Sequence, residues 1–117
     1  MNPGFASDED AFRLEVRAFL RDWRELDGYF QQGRKWAEVK ALFRALGARG
    51  WLALTWPSEA GGLGRSAAYE YLLWDEAAYA RAARNPLSAG IVARTLIRVG
   101  TREQQAHWLA PIRCPQR

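Results

Sequence analysis

Gly50-Trp51-Leu52-Ala53-Leu54-Thr55-Trp56-Pro57-Ser58-Glu59-Ala60-Gly61-Gly62-Leu63-Gly64 is the least helical segment of this 117-residue chain. Pro57 restricts Trp56 to extended geometry, and three glycines within four positions supply backbone freedom that other residues lack. The segment reads as an ordered loop anchored by Trp51 and Trp56. Its glycines follow neither GxGxxG nor GxxxxGK[ST] and no strand-turn-helix unit surrounds them, so a phosphate-cradling role is not expected. Here and throughout the chain, apolar and polar residues fail to alternate over any useful length.

On either side of the loop the apolar spacing is helical. Phe12, Val16, Phe19, Leu20 and Trp23 recur at offsets 0, 4, 7, 8 and 11 after Ser7-Asp8-Glu9-Asp10. Ser7 is a capping candidate, and the three acids suit the positive end of a helix dipole. Asp27-Gly28 and Gly33 mark a linker. Trp36, Val39, Leu42, Phe43 and Leu46 then predict a second helix that stops near Gly47 or Gly50. Beyond the loop, Ser66 can cap a third helix reaching about Arg84, with Tyr69, Leu72, Leu73, Glu76 and Ala80 on one face.

Asn85-Pro86 opens a fourth helix whose Leu87, Ile91, Val92, Leu96, Ile97 and Val99 are apolar on more than one side. This is expected to be the most buried helix. Gly100 is expected to end it in a left-handed conformation, while Thr101 and Gln104 form a capping box for a fifth helix running from Arg102 to Pro111. The fold class is therefore all-α, a bundle of about five helices with one ordered Trp-Pro/Gly-Gly loop, filling residues 1–117 as a single domain.

Composition narrows the function. Hydrophobic residues make up 49% and charged residues 26% of the chain, which suits a globular domain with its own core. One cysteine, Cys114, excludes an intrachain disulfide, and with a single histidine, His107, a metal site would need carboxylates from scattered positions and is not expected. Neither residue has neighbours arranged for nucleophilic catalysis. No apolar run approaches the roughly 18 residues of a membrane span, and the first ten residues lack a signal-peptide pattern, so a cytoplasmic location is expected. The net charge of +4 is concentrated from Ala80 onward, where seven arginines face one glutamate. Those arginines are spread along helices without aromatic interleaving or a known motif, so nucleic acid is not the expected partner. Glu76, on an apolar stripe, could serve as a base, but a buried ion pair is the stronger reading with 15 arginines available.

Three segments, in order, resemble the N-terminal helical domain of the acyl-CoA dehydrogenases. Gly50-Trp51, Trp56-Pro57, Glu59 and Gly61-Gly62-Leu63-Gly64 are similar to that family's GW, WP, E and GGxG pattern. Trp74-Asp75-Glu76 stands where family members carry an acidic pair. Thr95-Leu96 through Gly100-Thr101, with Glu103-Gln104-Gln105 and Leu109, resembles the family's helix junction.

The resemblance, from about Phe12 to Ile112, implies a flavoprotein of fatty acid metabolism. In such an enzyme a carboxylate takes the α-proton of an acyl-CoA, hydride passes to FAD, and trans-2-enoyl-CoA results. It also implies three domains, of which this chain matches the first. The flavin-binding sheet domain and the C-terminal domain with its catalytic glutamate have no counterpart within these 117 residues and are expected to be absent. No catalytic residue is therefore assigned, no cofactor-binding residue is identified, and FAD is not expected to be held stably by this chain alone. Aligning on Gly100 places Leu87, Ile91 and Thr95 on the wall of the acyl cavity, although the same residues would also suit an ordinary helical core. Acyl-CoA is the implied ligand of the intact enzyme, with the remaining domains or another subunit as partner. The tail Arg113-Cys114-Pro115-Gln116-Arg117 departs from the family pattern, as a fragment or a genuine short protein would. The competing expectation is a non-catalytic helical module that docks on a partner protein through an exposed apolar face.

Overall fold

The computed structural model describes residues 7–26 and 36–115. Among them are five α-helices and no strand: α1 (Ser7–Leu20), α2 (Trp36–Ala48), α3 (Ala67–Tyr79), α4 (Ala93–Val99) and α5 (Arg102–Arg113). The linker marked by Asp27, Gly28 and Gly33 lies outside the described residues. The chain divides into two compact units, and the division falls within α2 after Val39.

In the first unit α1 packs on α3. Phe12, Val16 and Leu20 of the α1 stripe are buried, as are Tyr69, Leu72, Leu73, Glu76 and Ala77 of α3. Burying side chains such as Leu72 and Leu73 contributes about 1.5 to 3 kcal/mol each. The two helices run parallel, because the pairings keep a nearly constant offset along both. Tyr69 Oη donates to Asp8 Oδ2 at 3.1 Å near their starts, and Arg17 Nε donates to Glu76 Oε1 at 2.8 Å further on. Between these the Phe12 and Tyr69 rings meet at 5.0 Å. Ser7 is the first residue inside α1.

Helix α3 ends at Tyr79, short of the expected Arg84. Arg81 takes a left-handed φ of 55°, which breaks the helical path. The Ala80 and Arg81 carbonyls then accept from the Glu25 and Leu26 N–H groups at 2.9 and 3.0 Å. These bonds tie the turn after α1 to the end of α3. Sequence spacing does not register such a long-range backbone bond.

The second unit holds the rest of α2, the Trp-Pro loop, α4 and α5. Trp51 and Trp56 are both buried, as their anchoring role requires. Two single 3-10 turns, Trp51–Ala53 and Ser58–Ala60, order the loop. Gly62 is needed for close approach, because a Cβ there would collide with the backbone and Cβ of Trp56.

The fourth helical segment, residues 87–99, which ends in α4, overturns two expectations. It is not the most buried helix, for Leu87, Ile91, Val92 and Val99 are exposed while the small Ala89 and Ala93 are buried. Helix α5 packs on α4 and on the segment that precedes it. Short side chains at Ala89 and Ala93 permit close helix approach, and an apolar surface on more than one side cannot all face a single neighbour. Gly100 is extended, with φ −76° and ψ 154°, and is not left-handed. A Cβ on Gly100 would lie 2.6 Å from the Leu96 carbonyl oxygen, which accepts the Gly100 N–H at 2.8 Å. Close contact with the preceding helix end is therefore what selects glycine there. The capping box of α5 forms as expected: Thr101 Oγ1 accepts from the Gln104 N–H at 3.1 Å, and Gln104 Oε1 accepts from the Thr101 N–H at 2.9 Å.

Candidate functional site

The start of the fourth helical segment is not α-helical. Ser88–Val92 form a π-helix whose end is marked by the Ala93 N–H donating to the Ser88 carbonyl. Such wide turns are rare and recur at functional sites. Asn85 and Pro86 precede it, and the Pro86 carbonyl accepts from the Gly90 N–H at 2.9 Å.

This segment carries the residues singled out from sequence. Leu87 and Ile91 are 65% and 61% exposed, so neither is a core residue of this chain. Their surface is apolar and outward-facing. Thr95 is also exposed, but its Oγ1 donates to the Ile91 carbonyl at 2.9 Å. Its hydroxyl is thus turned onto its own helix, leaving the methyl group as its apolar contribution. All three positions therefore lie on accessible surface. Arg94 Nη2 donates to Thr55 Oγ1 at 3.2 Å, which ties this helix to the Trp-Pro loop.

Glu76 is 6% exposed and is held by Arg17 Nε at 2.8 Å, with Arg13 Nε at 3.8 Å. An ion pair joining α1 to α3 is what the geometry supports. Glu76 also borders a hollow of about 220 Å³ with Arg17, Arg21, Arg24 and Tyr79. His107 and Trp108 make an edge-on ring contact at 4.6 Å. Among the described residues, no group of His, Cys, Asp and Glu is arranged to hold a metal ion, and no helix is long and apolar enough to cross a membrane.

The loop glycines do not fit the pyrophosphate of a dinucleotide such as FAD. A phosphate cradle needs several backbone N–H groups pointing outward. Here the Gly61 N–H donates to the Ser58 carbonyl, Gly62 to Pro57 and Gly64 to Trp56, at 3.0, 3.1 and 2.9 Å. These donors are already committed within the loop.

A second concavity was not anticipated from sequence. A groove of about 420 Å³ runs between the Ser58–Ala60 turn and α5, floored by Leu109 and bordered by Glu59, Arg102, Gln105 and Arg113. Its signal was the spacing of Arg102, Gln105, Ala106, Leu109, Ala110 and Arg113, offsets 0, 3, 4, 7, 8 and 11, which is one helix face with an arginine at each end.

Comparison with known proteins places these features in a family. The model of the acyl-CoA dehydrogenase N-terminal domain matches residues 6–113. The chain is 34% identical to acyl-CoA dehydrogenase FadE26 of Mycobacterium tuberculosis, an alignment covering 96% of this chain and 30% of that protein. It is similar to a chain of the ChsE4-ChsE5 complex from Mycobacterium tuberculosis with a TM-score of 0.81 and 31% identity, over 97% of this chain and 29% of that one. It is also similar to a chain of the Tcur3481-Tcur3483 steroid ACAD, with a TM-score of 0.80 and 28% identity over 97% of this chain and 30% of that one. The chain thus spans about 30% of the length of the relatives it matches.

Proposed function

The chain belongs to the acyl-CoA dehydrogenase family as its N-terminal domain, and from that premise we propose that it serves as one wall of the acyl cavity in a dehydrogenase that oxidises acyl-CoA to trans-2-enoyl-CoA. The observation that carries this reading is the outward-facing apolar surface of Leu87 and Ile91 on a helix widened by one π turn. An apolar wall suits a fatty acyl chain, because it removes hydrocarbon from water without demanding hydrogen bonds. Thr95 supplies its methyl group to the same wall.

The redox chemistry of such an enzyme is the flavin's, and the flavin site together with the catalytic carboxylate is assigned to the remaining domains or to another subunit. These residues position the acyl chain and exclude water from it. Two solved neighbours are named as pairs, ChsE4-ChsE5 and Tcur3481-Tcur3483, which supports a two-component assembly here as well. One of them is named a steroid ACAD, which supports a steroid-derived acyl-CoA as substrate.

A cavity-wall role is tested in a dehydrogenase that contains this domain. Ile91→Trp should raise KM for bulky or long acyl-CoA thioesters at least tenfold while leaving KM for a short-chain thioester within twofold. Equal effects on both would remove Ile91 from the cavity. A second reading, a non-catalytic docking module, draws on the further exposure of Val92, Val99 and Trp108. Translating about a kilobase of source DNA beyond the Arg117 codon in all three forward frames separates the two. A sheet domain followed by a glutamate-bearing helical domain supports the dehydrogenase reading, and finding neither supports the docking module.

A further inference from the structure

We propose that the groove along α5 is a docking site for an extended acidic segment of a partner protein. The leading observation is Arg113. Its Nε is buried and has no hydrogen-bond partner among the described residues. That nitrogen has almost no accessible surface, so it marks a guanidinium short of acceptors inside the chain, which a ligand in the groove relieves once the side chain shifts outward. The guanidinium lies against Gly61, where a Cβ would stand 2.7 Å from Nε, so glycine at this position is what leaves room for the charge beside the groove.

The rest of the groove specifies what completes it. Arg102 stands on the same face of α5, eleven residues away. At 1.5 Å per residue that separation is about 16 Å, close to the length of five extended residues. Between the two arginines the floor is apolar, formed by Leu109 and by alanines small enough to admit a backbone. Gln105 and Glu59 lie along the sides. The Gln105 amide nitrogen donates to the Gly100 carbonyl at 3.2 Å, which leaves its oxygen as an acceptor. Glu59 opposes the arginines with one carboxylate, so the groove keeps a net positive charge from two guanidinium groups against it. Charge complementarity therefore selects a segment with a carboxylate near each end, small apolar residues between, and backbone N–H groups for Glu59 and Gln105. Arginine forks favour carboxylates in this way because two parallel N–H groups match two oxygens. The inference does not depend on the cavity wall at Leu87 and Ile91.

The test uses the 117-residue chain labelled with ¹⁵N and the peptide acetyl-Glu-Ala-Leu-Ala-Glu-amide, following the Arg113 Nε–H and Gly61 amide signals by NMR. Saturable shifts at both signals are expected, with affinity at least tenfold weaker for the peptide carrying Gln in place of both Glu. Arg102→Gln, at an exposed position, should weaken binding at least threefold while the amide spectrum keeps its dispersion. Equal binding of the two peptides would overturn the proposal, as would full affinity in Arg102→Gln. So would the same shifts from sodium acetate at matched carboxylate concentration, which would make Arg113 a simple anion site.

Discussion

Glu76 shows what one buried carboxylate does in this chain. Its position on the apolar face was legible from the spacing of Tyr69, Leu72, Leu73 and Ala80, whereas its partner was not, because 15 arginines could have filled that role. Only the parallel run of α1 beside α3 selects Arg17 and Arg13. Replacing Glu76 by Gln keeps the volume and removes the charge. Urea denaturation should show a loss of about 1 to 2 kcal/mol, at the low end for a buried charged group because Arg17 remains half in water. Gly62→Ala drives a Cβ into the Trp56 backbone, and overpacking of this kind costs about 1 to 3 kcal/mol. Its denaturation midpoint should fall with an unchanged slope if the folded state alone is affected.

Among the elements, the fourth helical segment, a π turn followed by α4, separates apolar composition from burial. Leu87→Ser and Ile91→Ser should change the stability of this chain by less than about 0.5 kcal/mol, since both side chains already meet solvent. Ala93→Leu, although it adds apolar volume, should destabilise by about 1 to 3 kcal/mol because Ala93 is fully buried. Thermal unfolding of the three variants checks this, and the reverse ranking would restore Leu87 and Ile91 to the core. In α5 the capping box was readable from Thr101 and Gln104 alone, because its geometry is local. Thr101→Ala should cost about 1 kcal/mol in the same measurement. The junction at Gly100 was not readable. Both a left-handed turn and a close approach to Leu96 call for glycine, and only the backbone path distinguishes them.

At the scale of the molecule, the loop glycines have committed their N–H groups internally, and no dinucleotide cradle remains among them. The 117-residue chain mixed with excess FAD and then desalted should therefore carry no flavin absorbance, and stoichiometric retention would contradict the assignment of the flavin site to other domains. By itself, the amino-acid sequence determined the all-α class, the buried stripes of α1 and α3, the anchored Trp-Pro loop, the α5 cap and the family. The family rests on three short segments in order along the chain, and the others on neighbours within about eleven residues, where helical periodicity and turn chemistry act directly. Tertiary structure alone decided which face of the fourth helical segment is buried, where α3 stops, which arginine meets Glu76, and that α5 borders a groove with a buried guanidinium nitrogen unpaired among the described residues. Those outcomes depend on which segments distant in the chain come into contact, and local spacing does not encode that choice.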